Sequence, residues 1–283
     1  MKQITSLHLS NSQLRVLVIS TKPEGLSLDV CKSFALPSQP PDLNELELSK
    51  HIPKTSSTVV ITLGGGLFHI QRVPLEVASE SDRKAQINWE ASQVLIDSID
   101  HYAIDFHPAG RIAFWTAIRK EITQTYTEYF TDLGFDTVTF MPEPLALYAL
   151  CKHKQTHNNQ GAIWLGKEWG SFVAQTNNAL TTAETVFLHN QPHNESRNVA
   201  QIKQWIQGDL SAERRRPVFD HVLLCGETEP ITSLSKPISE FKAPNIVPFR
   251  ISDHLLQPPT DAPIDPESPT FALALGAALS QVT

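Results

Sequence analysis

The stretch AIRKEITQTYTEYFTDLGFDTVTFMPEPLALYAL, Ala117 to Leu150, carries a helix, a strand and a second helix in one short span. Its first part, RKEITQTYTEYFTDLG, is a long helix closed by Gly134, a residue type that ends helices by accepting a left-handed backbone. DTVTFM follows as an extended strand, and PEPLALYALCKH is entered through proline, which suits the first turn of a helix. A helix, strand and helix in succession predict an α/β protein.

Upstream, the pattern is richer in strands. SLHLSNSQLRVLVIS has two alternating apolar runs about Asn11 and Ser12, a hairpin signal, and TVVITLGGGLFHIQRV repeats that form about Gly64 to Gly66. Two prolines precede a short expected helix from Asp42 to His51. From Ser79 the period changes. SESDRKAQINWEASQVL opens on Ser and Asp capping residues and sets Ile87, Ala91, Val94 and Leu95 on one helical face. HYAIDFHPAGRIAFWTAI returns to two strands about Pro108, Ala109 and Gly110.

Downstream, GAIWLGKEWGSFVAQTNNAL, Gly161 to Leu180, reads as a strand, a turn and a second strand. A strand about Val186 to Leu188, a polar loop and the helix SRNVAQIKQWIQGDL come next. They are followed by the strand HVLLCG, a proline-punctuated stretch from Ile238 to Pro269, and the closing helix PTFALALGAALSQV. Both halves run from hairpin to helix, which predicts two related lobes.

Composition bounds the function. The 41% hydrophobic and 19% charged content is that of a globular chain, and the net charge of -7 gives no overall field for nucleic acid or an anionic membrane. Cys31, Cys151 and Cys225 are an odd number, far apart and without a CxxC pattern, which points to a reduced cytoplasmic protein. The longest apolar run, Phe271 to Leu279, is too short to cross a bilayer, so membrane contact is expected only through a partner.

The block from Arg119 to Leu147 resembles the ARKE…EPLAL signature of the PilM family, actin-like cytoplasmic proteins of type IV pilus assembly related to the division protein FtsA. AQINWEASQVLIDSIDHYAIDFH is similar to that family's I-WEAEQ…DY helix and strand, and FALALGAALS to its terminal helix. The resemblance runs in order through nearly the whole chain. It implies an actin-like (ribonuclease H-like) α/β fold of two lobes, 1–153 and 154–283. It also implies a small subdomain inserted at about 74–136 and a shortened second lobe, because Phe187 to Val222 is a brief span.

The departures from that family concern its nucleotide site. Where its members carry a carboxylate to orient hydrated Mg²⁺ and a glycine beside phosphate, this chain has His8 and Ser10. In the second phosphate hairpin Trp164 replaces the other carboxylate, while Gly166 and Lys167 remain at the tip, the lysine able to meet phosphate as a point charge. At the adenosine strand Gly226 survives, followed by the anionic Glu227. Glu143 matches the acid that related ATPases place near the attacking water; equally, it starts a helix, where a carboxylate is favoured. Phosphoryl transfer depends on positioning and charge stabilisation that one Glu does not supply. The expectation is a degenerate site without ATP, Mg²⁺ or any metal, and no enzyme.

Other motifs carry less. Gly64 to Gly66 lacks the following GK[ST] of a P-loop. His189 and His193 have a metal-like spacing with no framing Cys, Arg214 to Arg216 read as a solvated basic run, and Asn194 to Ser196 form a sequon without consequence. Trp89 is expected in the core. Trp164 and Trp169 either fill the vacated cleft or add a docking surface.

The resemblance implies a scaffold at the inner face of the inner membrane that holds the N-terminal tail of a PilN-like bitopic protein. The expected groove lies between the first lobe's body and its insert, with Phe68, Arg72, Trp89, Tyr102 and Phe106 as candidate lining. Two alternatives stand beside it: an actin-family ATPase with an unorthodox site, and a GspL-like platform component of type II secretion.

Overall fold

The computed structural model describes residues 2–10, 12–36, 43–53, 57–76, 79–153, 157–188, 195–207, 219–232, 245–255 and 268–282. His189, His193, Asn194 and Arg214 to Arg216 lie outside these residues, as does Asp42.

Two five-stranded sheets share one topology. In the first lobe β1 (Gln3–Leu9), β2 (Gln13–Lys22), β3 (Gly25–Ala35), β4 (Thr58–Leu63) and β8 (Thr137–Pro142) are ordered β3-β2-β1-β4-β8. In the second, β9 (Asn159–Leu165), β10 (Trp169–Thr176), β11 (Ala179–Phe187), β12 (His221–Gly226) and β13 (Asn245–Pro248) are ordered β11-β10-β9-β12-β13. Each sheet is an antiparallel meander of three strands extended by two parallel strands. The repeat expected from the hairpin-to-helix order is therefore a repeat of topology.

A third sheet, ordered β5-β7-β6, comprises β5 (Phe68–Pro74), β6 (Tyr102–Ala109) and β7 (Ile112–Arg119). Helix α1 (Glu80–Val94) covers one face, packing Ile87, Ala91 and Leu95 on Val73, Tyr102, Ala113, Trp115 and Ala117. Ser79 caps α1 by accepting from the Asp82 N–H. This small unit spans Phe68 to Arg119, while α2 (Lys120–Asp132) packs Tyr126 and Phe130 against the first sheet.

Between the two large sheets lie α3 (Glu143–His153) and the closing helix α5 (Ala272–Leu279), every residue of which is buried. Gly276 permits this pairing: a Cβ there would stand 2.1 Å from the Ala146 carbonyl oxygen. On the far face of the second sheet, α4 (Glu195–Gln207) supplies Ile202, Trp205 and Ile206.

Four expectations are corrected. The Gly64 to Gly66 turn does not close a hairpin, because β1 and β8 occupy both edges of β4 and β5 leaves for the third sheet. The segment from Asp42 to His51 forms two 3₁₀ turns, Leu43–Leu46 and Leu48–Lys50, in its described part. A positive-φ turn at Asn177 and Asn178 ends β10, so Leu180 and Val186 belong to one strand, β11. Trp89 is 62% exposed, since it lies two residues from both Ile87 and Ala91 and so projects from the opposite side of α1; Val94 is exposed too.

Candidate functional site

The stretches that resemble phosphate-binding hairpins meet at a cleft between the lobes. It is a cavity of about 160 Å³ lined by residues that include Ser10, Gly64, Glu143, Trp164, Lys167, Trp169 and Glu227. Of the six candidate nucleotide residues, Ser10, Glu143, Gly166 and Lys167 line the cleft. His8 is wholly buried, and Gly226 is not among the lining residues, although its neighbour Glu227 is.

The wall of this cleft is a bonded chain of charged and polar groups. Strand register sets His8 opposite Arg15, and Arg15 Nη1 donates to His8 Nδ1 at 3.2 Å. A guanidinium has only donors, so Nδ1 accepts and the ring proton sits on Nε2. Nε2–H then donates to Glu143 Oε1 at 3.1 Å, while Ser171 Oγ donates to Glu143 Oε2 at 2.7 Å. Both carboxylate oxygens at the start of α3 are thus engaged.

Arg15 Nη2 donates to Glu227 Oε1 at 3.0 Å and to Gln13 Oε1 at 2.5 Å. Burial lowers the pKa of His8 from its ordinary value, opposed by the bond to Glu143 and reinforced by Arg15, which keeps the imidazole neutral. Burial also lowers the pKa of Arg15, with Glu227 opposing the shift.

Trp164 sits inside this chain. Its ring meets His8 edge-on at 5.0 Å, and the Arg15 guanidinium lies 5.7 Å over it. Trp169 closes the front against the first lobe; a Cβ on Gly65 would come within 2.5 Å of its ring. At the hairpin tip, the Gly166 N–H donates to the Trp169 carbonyl at 2.9 Å. Burial pushes the thiols of Cys31 and Cys151 up to about 12 and that of Cys225 well above its ordinary value, so none is poised as a nucleophile.

Sequence reading missed Arg15 and Ser171. The available signal for Arg15 was a cation within the apolar run QLRVLVIS, at a position facing His8 across the hairpin.

A second cavity, about 220 Å³, lies between the first lobe's body and the small sheet. It is lined by His107 of β6, Met141 of β8, Leu145, Tyr148 and Lys152 of α3, and Leu279 of α5, among others. The α3 helix is apolar on two sides: Ala146, Leu147, Leu150 and Cys151 are buried, whereas Leu145, Tyr148 and Ala149 form a half-buried stripe facing this groove. Tyr148 meets His107 edge-on at 5.5 Å and donates its hydroxyl to the Asn178 carbonyl. Burial, then Lys152, lowers the pKa of His107.

The five residues expected to line a partner groove are not brought together here. Tyr102 and Phe106 lie under α1, Trp89 points out from its far side, and Phe68 and Arg72 alternate onto the other face of the small sheet. None is among the residues lining the groove. The groove's own lining includes Met141, Leu145 and Tyr148, inside the stretch that decides the fold.

No family model matches the chain, and no curated protein matches it. Solved structures do. One, of a PilM–PilN type IV pilus biogenesis complex, aligns at a TM-score of 0.75 and 16% identity over 99% of this chain and 98% of its own. A second, a Bacteroides thetaiotaomicron protein with an actin-like ATPase fold, aligns at 0.59 and 12% identity over 99% and 96%. A third, the cytoplasmic domain of EpsL, an inner-membrane component of the Vibrio cholerae type II secretion system, aligns at 0.57 and 10% over 99% and 95%. The chain has the actin-like α/β fold, and its structure is PilM-like.

Proposed function

We propose that this PilM-like chain is a scaffold of an inner-membrane assembly platform. Its groove between the first lobe's body and the small sheet holds the N-terminal cytoplasmic tail of a PilN-like bitopic protein. The observation that carries the reading is the groove itself, on a fold similar to that in a PilM–PilN complex. An extended tail would set an apolar side chain against Met141, Leu145 and Tyr148.

Backbone pairing along the free edge of β6 is the weaker contribution, because the Phe106 N–H is held by Asp105 Oδ1 at 2.8 Å and Pro108 has none. No helix among the described residues is long and apolar enough to cross a membrane. The chain would meet the bilayer through its partner, from the cytoplasmic side.

The inter-lobe cleft, in this reading, neither binds magnesium nucleotide usefully nor hydrolyses it. Two of its three carboxylates, Glu143 and Glu227, are committed to His8, Ser171 and Arg15, and Trp164 and Trp169 fill the room beside them. A GspL-like role in a type II secretion platform is the second reading, favoured by the alignment with EpsL over 99% of the chain.

Calorimetric titration of the full chain with the tail of a bitopic protein encoded beside it tests the groove. Affinity of roughly micromolar, about −8 kcal/mol, is expected, with loss in Leu145→Asp. Tail binding that Leu145→Asp leaves intact places the site elsewhere. Micromolar ATP–Mg²⁺ affinity, or turnover abolished by Glu143→Ala, overturns the reading of the cleft.

A further inference from the structure

Leu145, Tyr148, Ala149 and Lys152 of α3 all line the groove, and their helical spacing sets them in one row along the helix. The row is apolar until its last member. Lys152 stands exposed in the final turn of α3, with His153 beside it, and His107 lies against Tyr148 one turn earlier. No carboxylate lines the groove, in a chain whose net charge is -7. Among the described residues Lys152 has no carboxylate within ion-pair distance. Its charge reaches His107, whose pKa it lowers in addition to burial. The groove therefore joins an apolar stripe to one cationic end for which the chain supplies no carboxylate.

Given a tail held in this groove, as proposed above, we infer that Lys152 selects it by charge: the tail sets an Asp or Glu side chain against Lys152 and an apolar one against Leu145. The spacing of the two follows from the helix. Lys152 comes seven residues after Leu145, about 10 Å along the axis, and an extended chain covers that distance in about three residues. Alternate side chains of such a chain share a face, so the acid falls roughly two or four positions from the apolar anchor, within the sweep of the flexible lysine arm. A pair of this kind supplies specificity and association rate more than affinity. A tail with a basic residue at that position is rejected.

Calorimetric titration of the full chain with the tail encoded beside it tests this. Lys152→Glu should weaken binding about tenfold at low salt and less at high salt, with the melting temperature nearly unchanged because the side chain is exposed. Exchanging the tail's acid for Lys should weaken binding to the parent chain similarly. That tail combined with Lys152→Glu should recover most of the affinity, which a lysine serving only the negative end of its helix would not bring about. Binding abolished by Leu145→Asp but indifferent to Lys152→Glu overturns this inference and leaves the groove reading standing; binding indifferent to both overturns the two together. A tail with no Asp or Glu within roughly four residues of its apolar anchor, or reversed charges that fail to restore binding, also overturns it. So does Lys152-dependent flotation of the chain with phosphatidylglycerol vesicles, which would assign the lysine to a lipid headgroup.

Discussion

Arg15, on the second strand of the first lobe, and Glu227, just beyond the fourth strand of the second lobe's sheet, form a buried ion pair at 3.0 Å across 212 positions of sequence. The guanidinium is 1% exposed and the carboxylate 8%, so each is the other's principal compensation for lost water. Arg15→Met leaves Glu227 buried without its cation and should cost about 3–5 kcal/mol. Replacing both, as Arg15→Met with Glu227→Leu, should recover much of that loss. Thermal melts of the two single variants and the double one check this; additive losses would refute the coupling.

Acidification should destabilise the fold through His8. Burial lowers its pKa below the ordinary 6.5, so the unfolded chain takes up a proton more readily than the folded one. The residue's contribution is complete above about 6.5 and declines as pH falls. Arg15, Glu143, Glu227 and the Trp164 ring are the groups that face it. Denaturation midpoints from pH 8 to pH 5 should fall on the acid side, and less steeply in His8→Asn.

Gly276→Ala should be among the most damaging small substitutions. The added methyl would stand 2.1 Å from the backbone oxygen of Ala146, which cannot rotate away as a side chain can. Overpacking of this kind costs about 3 kcal/mol or more. A melting temperature within a degree of the parent would show that the two helices can separate freely.

Gly65→Ala should destabilise for a different reason, contact with the Trp169 ring at 2.5 Å. Trp169→Ala removes that obstacle, so Gly65→Ala should cost much less in its presence. A double-mutant cycle with a coupling energy of at least about 0.5 kcal/mol is expected, and none would mean that the ring does not rest on this turn.

Trp89→Ala should cost under about 1 kcal/mol in stability, since the side chain is 62% exposed. Burial in the core would instead give about 3–5 kcal/mol. Denaturant unfolding separates these values.

The two-lobed plan was legible because order alone carried it: hairpins followed by helices recur in both halves. What failed were questions of phase and of edge. Trp89 belongs to a helix that the sequence marks clearly, yet a shift of two residues from Ile87 moves a side chain from core to solvent. The Gly64 to Gly66 turn joins two apolar strands, but no local pattern records that both edges of β4 are taken. In the cleft, His8 and Trp164 were visible as substitutions, whereas Arg15 becomes meaningful only when Glu227 is folded against it. The residues lining the second cavity were overlooked because aromatics drew the choice, while that lining falls on the second apolar stripe of α3.

Gly226 shows what a surviving motif residue is worth. Its φ is 141°, and a Cβ there would lie 2.2 Å from the carbonyl oxygen of Leu165 on the neighbouring strand. Any side chain would wedge β12 away from β9 whether or not a nucleotide ever approached. Strand spacing alone therefore demands glycine at this position, with or without a ligand. A motif search that counts it as a trace of nucleotide binding would register an architectural constraint and report a chemistry.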